Sequence, residues 1–382
     1  MLATTCVAFA LVAPATASAL DYIAHDGDSL AKAVASADDS PGPDTITLDA
    51  GTYLPSETLD VSGSLAIAGP GTSPGVKIDG SAINPYPSPV FNVAKGANLK
   101  LHAVLITTGG GSNAAAVDAT GDVTLEDSAL IGNIGPALLV RSGSTASVVN
   151  TTISDNLDAG VVSVGSVDLL NVTVAANARG GIADSGHGVT LTNTIVAGNT
   201  FGDCNKPARL VDHALDSDGS CGAGSLEKRD PLLAPVEANG GPTPTRALGT
   251  GSPAIGAGDG AKCPATDQRL YTRTGACDLG AYQASAVKPA PSGGGGGATR
   301  PNVKPSSSPT GSKKLRDHVR AHGRLRSRAG SKLTVHLDVM AGRTQGTFSV
   351  ARGGRVIIRA TSITSVTINT AMTQAAMKPT RG

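Results

Sequence analysis

Apolar residues in the central part of the chain follow a repeating pattern with a period of 21 to 23 residues. Four stretches each contain two short segments in which apolar and polar residues alternate, and each stretch closes on an asparagine. They are Val123–Asn133, Ser147–Asn156, Val167–Asn177 and Val189–Asn199. A third short apolar segment follows the asparagine, as in residues 159–162. Three short strands per repeat of this length predict one coil of a right-handed parallel β-helix, an all-β solenoid.

Two columns of polar residues run in step through these repeats. The closing column is Asn133, Asn156, Asn177 and Asn199, and the inner column is Asp127, Asn150, Asn171 and Asn193. Each corner of a β-helix needs a residue that tolerates a left-handed backbone, and asparagine and glycine do so at low cost. Stacked asparagine side chains also hydrogen-bond to one another along the axis. We interpret both columns as structural corner ladders rather than as a binding site.

The two ends of the solenoid need covers, because an open end exposes unpaired strand and apolar core. Less regular coils extend upstream through residues 59–61, 65–67, 76–80, 91–93 and 99–106. Residues 29–37 have the apolar spacing of a helix and predict an N-terminal helical cap, with Ser29 as its N-cap residue. We expect the cysteine-bearing segment after Asn199 to cover the opposite end.

Composition indicates the nature of the core, and the first residues of the chain indicate a cellular location. Aromatic residues make up 2% of the chain, tryptophan is absent and glycine numbers 49, so the core must consist of thin aliphatic layers. Residues 1–19 have the features of a signal peptide, with an apolar run over Val7–Val12 and the small-residue site Ala17–Ala19. The sequence therefore predicts a bacterial protein that is secreted or lies at the cell surface. No later apolar run reaches the roughly 18 to 20 residues that a membrane span needs.

Four cysteines follow the predicted signal peptide. They are Cys204, Cys221, Cys263 and Cys277. In an exported protein an even number implies disulfides, and four cysteines allow three connectivities. Local pairing of Cys204 with Cys221 and of Cys263 with Cys277 is the simplest, because each pair closes a short loop. A zinc site is the alternative, although neither pair has CxxC spacing.

Charge divides the chain into two parts although its net charge is only +1. Residues 300–382 hold sixteen lysines or arginines against two acids, and the residues before them hold fifteen against 28. We predict a β-helix with caps over 20–284, a Gly/Pro/Ser-rich linker over 285–314 and a small basic β-rich module over 315–382. Export argues against nucleic acid as the partner of the basic module. An anionic cell-wall polymer or membrane surface fits its charge better.

Several motifs together resemble a known group, the right-handed, pectate-lyase-like β-helix proteins with a choice-of-anchor Q segment. The opening of that family is similar to residues 29–30, 42–48 and 50–53. Its closing segment is similar to Asp203–Cys204, Ser217–Cys221, Asn239–Thr245, Gly251–Ile255, Thr266–Arg269 and Cys277–Tyr282, with Gln283 where the family has a glutamate-like ending. The resemblance spans about residues 29–283 and implies a secreted or cell-surface β-helix without implying a reaction. Residues 315–382 loosely resemble Ig-like modules, through the apolar stretches 332–337 and 355–359.

Many β-helices cleave polysaccharides, so we searched the repeats for catalytic groups. Glycoside hydrolysis generally needs two carboxylates. In the frame of the four repeats no acid shares a column with an acid of the next repeat. Asp158 aligns with Arg179 and predicts a surface ion pair, and no cluster of basic residues beside acids is evident on the regular coils.

Four side chains remain as weak candidates for chemistry. His187, in a Gly-His-Gly step that resembles one in polygalacturonases, and Asp184 are the catalytic candidates, but the paired aspartates of those enzymes are missing. Asp216 and Asp218 are the metal candidates because Asp-Ser-Asp-Gly resembles the start of a calcium loop. We interpret His187 as a turn residue and the two aspartates as a loop turn.

These observations favour a non-catalytic extracellular scaffold for adhesion or for contact with carbohydrate or cell wall. We expect a monomer that needs no cofactor and has the basic module as an attachment to anionic surfaces. The alternative is a polysaccharide lyase or glycoside hydrolase whose active residues come from loops or the cap.

Overall fold

A computed structural model describes residues 19–40, 42–111, 114–186, 188–222 and 226–289, together with three strands nearer the C-terminus. The chain divides into two compact units, Met1–Gly294 and Gly295–Gly382. The predicted signal peptide up to residue 18, His187 and most of the predicted linker and basic module lie outside the described residues. The proposed domain boundaries therefore stay predictions.

The first unit is a parallel β-solenoid of about eight coils, which confirms the predicted all-β fold class. Sheet 1 contains the strands Asp21–Ala24, Pro43–Leu48, Ser64–Ala68, Asn98–His102, Asp122–Glu126, Thr145–Val149 and Ser166–Leu170. Sheet 2 contains Gly51–Tyr53, Val76–Asp79, Val104–Thr107, Ala129–Ile131, Thr152–Ser154 and Thr173–Ala175. Sheet 3 contains Leu59–Val61, Phe91–Val93, Val117–Ala119, Leu138–Val140, Val161–Ser163 and Ile182–Asp184.

Two longer strands close the solenoid. Val189–Ala197 and Leu210–Asp216 each run first along sheet 1 and then along sheet 2, with a left-handed residue at the bend, and the short strand Leu226–Glu227 follows. A 3-10 helix, Gly80–Ala82, lies between sheets 2 and 3. Every strand pairs in parallel with the same strand of the next coil, so each coil repeats the register of its neighbour.

Inward-facing residues form aliphatic columns along the axis. One such column contains Leu65, Leu99, Val123, Ala146, Val167 and Val189, all of them buried and each in register with the next. Full burial of a leucine or valine side chain contributes about 1.5–3 kcal/mol. The repeated alternation in the sequence therefore specifies both the strand register and the core.

The two polar columns differ in their backbone. Asp127, Asn150, Asn171 and Asn193 have positive φ angles of 51°, 46°, 52° and 49°, as the corner interpretation requires. The closing asparagines are not left-handed, which corrects that interpretation for them. Instead the residue before each one has the positive φ: Gly132, Asp155, Ala176 and Gly198. This change of direction turns the closing asparagine side chains into the interior.

The closing asparagines bond to one another inside the solenoid. Each Nδ2 donates to the Oδ1 of the next asparagine at 2.8 or 2.9 Å, from Asn133 through to Asn199. Asp203 ends this closing ladder, because its Oδ1 accepts from Asn199 Nδ2 at 2.9 Å. Buried amides that are fully paired in this way fix one register of the coils.

The predicted N-terminal helix is present and forms the lid. It spans Gly27–Asp38 and buries Leu30, Ala33, Val34 and Ala37 against the first coils. Its N-cap residue is Asp26 rather than Ser29, so that detail of the prediction is wrong. Ser29 occupies position N3, where its hydroxyl completes a capping box with Asp26.

The cysteine-bearing segment does not simply cover the far end, and this corrects the sequence prediction. Residues 200–222 form the last coil, but residues 230–284, which we name the strap, return along the side of the solenoid. The strap contains an antiparallel pair, Leu233–Glu237 with Thr245–Leu248, and otherwise has little regular structure. It reaches back to Gly75, where Pro242 O lies 1.8 Å from the position that a Cβ would occupy.

The predicted local disulfides are confirmed. Cys204 joins Cys221 in the last coil, and Cys263 joins Cys277 in the strap, with Cα–Cα distances of 4.9 and 6.2 Å. The alternative of a zinc site at these cysteines is therefore wrong. Loops of this length gain about 3 kcal/mol from closure in the chain-entropy description.

The second unit is described only by three antiparallel strands, Thr334–Leu337, Gly346–Ala351 and Arg355–Arg359. Two of them overlap the stretches from which the sequence predicted a β-rich module. Among the described residues no helix is long and apolar enough to cross a membrane.

Candidate functional site

The outer face of sheet 1 is the best candidate for a functional surface. The strap packs on sheet 2: Thr152 Oγ1 donates to Gln268 Oε1 at 2.6 Å, and Ala281 N donates to Thr173 Oγ1 at 3.1 Å. Sheet 3 presents one outward column, which is polar at Asp60, Asn92 and Asp118 and apolar at Leu139, Val162 and Ala183. Sheet 1 has longer strands and presents a broader surface of mainly polar side chains.

Outward residues of sheet 1 stack in three columns because its strands alternate between inward and outward positions. The first column is Ser64, Asn98, Asp122, Thr145 and Ser166. The middle column is Thr45, Ala66, Lys100, Thr124, Ser147, Asp168 and Thr190. The third column is Thr47, Ala68, His102, Glu126, Val149, Leu170 and Thr192. Neighbouring coils lie about 4.8 Å apart, so paired hydroxyl groups such as Thr124 with Ser147, and Thr145 with Ser166, are spaced at that interval.

A shallow groove borders the first column. It encloses about 320 Å³ and is lined by Lys95, Gly96, Thr120, Gly121, Asp122, Ser142 and Gly143. Gly96 and Gly143 have positive φ angles of 83° and 82°, and nothing lies within 4 Å of a Cβ placed on either. The corner therefore presents backbone rather than side chains to a molecule lying on the face.

Charged groups on this face occur as pairs. Lys100 Nζ lies 2.8 Å from Glu126 Oε2, across neighbouring coils. An Arg209 terminal nitrogen lies 3.8 Å from Asp168 Oδ1 and donates to Thr190 Oγ1 at 2.8 Å. Asp122 Oδ1 accepts from Thr145 N and Oγ1, both at 2.8 Å.

Next to the Lys100–Glu126 pair lies an acid–base contact. His102 Nδ1 is 3.4 Å from Asp127 Oδ2, and Asn150 Nδ2 donates to Asp127 Oδ1 at 3.1 Å. Burial raises the pKa of Asp127 to about 7, against the lowering effect of the Asn150 hydrogen bond. Burial also lowers the pKa of His102. Both shifts favour neutral forms, so this contact is a neutral pair rather than a salt bridge, and His102 Nδ1 has no hydrogen-bond partner among the described residues.

These two contacts join the less regular coil of residues 99–106 to the first of the four clear repeats, so they lie outside the expectation for the regular coils, which stays a prediction. The spacing of the clear repeats, which begin at Val123, did not include Lys100 and His102. Leu99–His102 has the same alternation as Val123–Glu126, and its register places Lys100 and His102 opposite Thr124 and Glu126. That shared alternation is the signal that would have found the cluster.

The predicted ion pair between Asp158 and Arg179 is wrong for the described residues. Asp158 Oδ1 instead accepts from Ala159 N at 2.8 Å, and only the backbones of the two residues meet, at 3.4 Å. Alignment in sequence placed the two residues on neighbouring coils but did not fix the side-chain directions at this turn.

Asp184 lies inside the solenoid rather than in a cleft. It faces inward at the last strand of sheet 3, and its side chain is 2% exposed. Its Oδ1 accepts from Gly186 N at 2.9 Å, and Lys206 Nζ lies 3.9 Å from its Oδ2. These contacts hold the turn that follows the strand. The other catalytic candidate, His187, lies outside the described residues.

Asp216 and Asp218, the metal candidates, meet Asp203 in the last coil. One carboxylate oxygen from each of the three lies within 4.8 Å of the others, so this is a donor set for a hard cation. Their oxygens already accept backbone N–H groups: Cys221 N donates to Asp216, Asp203 N to Asp218 and Ser217 N to Asp203. Burial raises the pKa of Asp216 to about 6. The cluster links the end of the closing ladder to the Cys204–Cys221 disulfide.

A second group of possible metal ligands, Asp212, His213 and Asp259, lies near the end of sheet 1. The ammonium group of Lys262 contacts Asp212 and lies 4.0 Å from Asp259. A cation therefore already neutralises this group.

Beneath the strap lies a cavity of about 370 Å³, lined by Ala175, Ala176, Ala197, Gly198, Ser217, Asp230, Pro231, Leu233 and Arg246. Arg246 is bound at its wall by Asp155, at 2.7 and 2.9 Å, and by Ser154 Oγ at 2.7 Å. Arg246, the one cation that lines this cavity, is therefore already paired, and it joins the strap to sheet 2.

Comparison with known proteins adds little to the structure itself. No family model and no curated protein matches the chain. Among solved structures, a mutant of the PL6-family alginate lyase AlyGC is similar with a TM-score of 0.29 and 12% identity, over 57% of this chain and 41% of that chain. A likeness this weak carries no argument about function, and the fold assignment rests on the coordinates of the chain alone.

Proposed function

We propose that the protein is an extracellular β-solenoid scaffold that contacts a polysaccharide through the outer face of sheet 1 and does not cleave it. The observation that carries this proposal is the set of outward columns, in which hydroxyl groups and paired charged groups lie on successive coils. A polysaccharide is a repeating polymer of hydroxyl groups, so a face with regularly spaced hydrogen-bonding groups can contact many of its units. Many weak contacts along one chain add up in affinity.

The location of the protein is part of the same proposal. Two disulfides are typical of proteins that fold in an oxidising compartment, which supports export. The linker over 285–314 and the basic module over 315–382 would then retain the protein on an anionic surface by electrostatic attraction. We retain the expectation of a monomer.

We also propose that the strap is a choice-of-anchor Q segment, on the strength of its motif residues. In the strap, a terminal nitrogen of Arg269 contacts Asp267 Oδ2 at 2.6 Å and Gln283 O at 2.7 Å, and its guanidinium lies 3.7 Å from the ring centroid of Tyr282. Gln283 Oε1 accepts from Asp278 N at 2.9 Å. The motif residues thus serve as a buried polar core for a segment that has few apolar side chains. This gives the motif a structural reason that is independent of any reaction.

A polysaccharide lyase or hydrolase is the second candidate, and the His102–Asp127 contact is the observation that favours it. Groups with pKa values near neutrality are suited to general acid–base catalysis. Lys100 and Glu126 lie beside them and supply a further base and acid. In this reading the outer face of sheet 1 would hold the substrate, and the reacting groups would sit on the regular coils.

The test incubates the mature full-length protein with neutral and acidic polysaccharides and with isolated cell wall. It scores both bound protein and released reducing or unsaturated ends. Thr124→Ile and Ser147→Ile place apolar side chains on the face, and Thr107→Ile, a half-buried outward threonine of sheet 2, is the matched control for the first. We expect binding without product, weakened by the two face variants and unchanged by the control.

Two outcomes would overturn the proposal. Binding that is absent, or that the face variants leave unchanged, would remove the face as the contact surface. Release of product would refute the non-catalytic reading. In that case loss of product in His102→Gln, with binding retained, would identify His102 as part of the lyase or hydrolase site.

A further inference from the structure

We infer that the outer face of sheet 1 selects neutral polysaccharides over polyuronates. This inference rests on the proposed function and adds the substrate class. It follows from the pairing of charges on the face, which leaves little net attraction for an anionic chain.

Each described cation of the face has a carboxylate near it. Lys100 pairs with Glu126 at 2.8 Å and Arg209 with Asp168 at 3.8 Å. Lys262 contacts Asp212 at the far end. Lys95 lines the same groove as Asp122. Burial lowers the pKa of His102, so its imidazole is uncharged over more of the pH range near neutrality. The face is thus close to neutral along its length.

A polyuronate carries a carboxylate on every unit, but the described cations of this face already have carboxylates near them and offer it little net attraction. Glu126 is half-buried and Asp168 is exposed, and they belong to outward columns two coils apart. An anionic chain that follows the coils would lie over both of them. Each of these carboxylates offsets the attraction of its own cation for such a chain. A neutral chain can instead hydrogen-bond to the same carboxylates and to the threonine and serine hydroxyls.

The basic C-terminal module complicates a direct binding assay, because its twelve lysines and arginines attract polyanions by themselves. A competition assay removes this difficulty. The full-length protein binds labelled hydroxyethylcellulose or galactomannan, and polygalacturonate or alginate is then added in excess. A polyuronate that binds only the module leaves the neutral chain on the face.

We expect no displacement from the wild-type protein. Glu126→Gln and Asp168→Asn free Lys100 and Arg209, so the double variant should gain displacement by polygalacturonate, by roughly ten-fold in the competing concentration. Asp158→Asn is the off-face control: it changes the net charge by one, half the change in the double variant, at a turn residue whose side chain is not in the described ion pairs of the face. Added salt should abolish the gain.

The outcomes separate this inference from the proposed function. Displacement from the wild-type protein, or face-dependent binding of polyuronates alone, would overturn the neutral specificity and leave the carbohydrate contact standing. A double variant that behaves like Asp158→Asn would also overturn it. Absence of face-dependent binding for both classes of polymer would refute the proposed function as well.

Discussion

The closing ladder and the inner ladder use the same residue type in two different ways. In the closing ladder each asparagine amide bonds to the next asparagine and to an interior carbonyl, such as Asn156 Nδ2 to Leu130 O at 3.2 Å. In the inner ladder the amides bond largely to the strap: Asn171 Nδ2 donates to Asp278 O at 3.1 Å, and Asn193 Nδ2 to Asp259 O at 3.1 Å. The closing ladder therefore holds the coils together, and the inner ladder holds the strap to the coils. Similar spacing in sequence does not imply a similar role.

The largest expected effect comes from the buried pair that holds the strap in shape. Arg269→Met leaves Asp267 buried without its cation, and breaking such a pair costs about 3–5 kcal/mol. Because the strap packs on the outside of sheet 2, we expect faster hydrogen exchange and proteolysis within residues 230–284 and little change in sheet 1. Arg229→Met, at an exposed position, is the control. An equal increase in exchange and proteolysis in the strap and in sheet 1 would show that the strap does not open independently of the solenoid.

The difference in role between the two ladders is tested most directly by Asn156→Ala and Asn171→Ala. Asn156→Ala removes the acceptor of Asn133 N and Nδ2, and unpaired buried groups cost about 1–3 kcal/mol each. We expect a loss of roughly 3 kcal/mol in the free energy of unfolding of the solenoid, measured by urea titration. Asn171→Ala should expose mainly the strap to exchange. Equal effects on strap exchange from both variants would show that the ladders do not divide the roles.

Asp127 is the one acid of the inner ladder, and its ionisation gives a prediction of pH dependence. The folded pKa of about 7 lies above the ordinary carboxyl value near 4, so the folded state binds the proton more tightly than the unfolded state. Stability associated with Asp127 is therefore greatest below pH 4, falls as pH rises from about 4 to 7 and is constant above. Asp127→Asn keeps the shape of the side chain and removes its negative charge. We expect a gain of up to about 4 kcal/mol at pH 8, which corresponds to a shift of about three pKa units, and little change at pH 4.

Urea titrations at pH 4, 6 and 8 check this prediction. The variant should still show a smaller decline between about pH 4 and 6, since burial raises the pKa of Asp216 to about 6 in the last coil. A variant with the same pH profile as the wild-type protein would refute the role of Asp127.

The smallest effect is expected at the turn where the sequence wrongly predicted an ion pair. Arg179→Gln removes an exposed charge that does not pair with Asp158 among the described side chains. We expect a change within about 0.5 kcal/mol in the free energy of unfolding. A loss above 1 kcal/mol that disappears in the Asp158→Asn background would restore the pair.

By itself, the sequence determined the features that depend on local and periodic order. Alternating apolar residues specify strands that are buried on one face, and a constant repeat makes successive strands pair in register, so the solenoid, its core columns and its N-terminal helix were predictable. The local disulfides followed from short separations between cysteines. These properties require only that each residue be related to its neighbours along the chain or to the same position one repeat later.

Only the tertiary structure shows the path of the strap and which side chains meet on the outer face of sheet 1. Contacts such as Thr243 Oγ1 with Asp127 O, or Arg273 with Asn150, join residues more than a hundred positions apart that share no repeat. The alternation of Leu99–His102 indicates its register with Glu126, but the contact of His102 with Asp127 depends on the left-handed backbone at Asp127. Side-chain directions at turns, which separated Asp158 from Arg179, likewise depend on backbone angles that spacing does not encode.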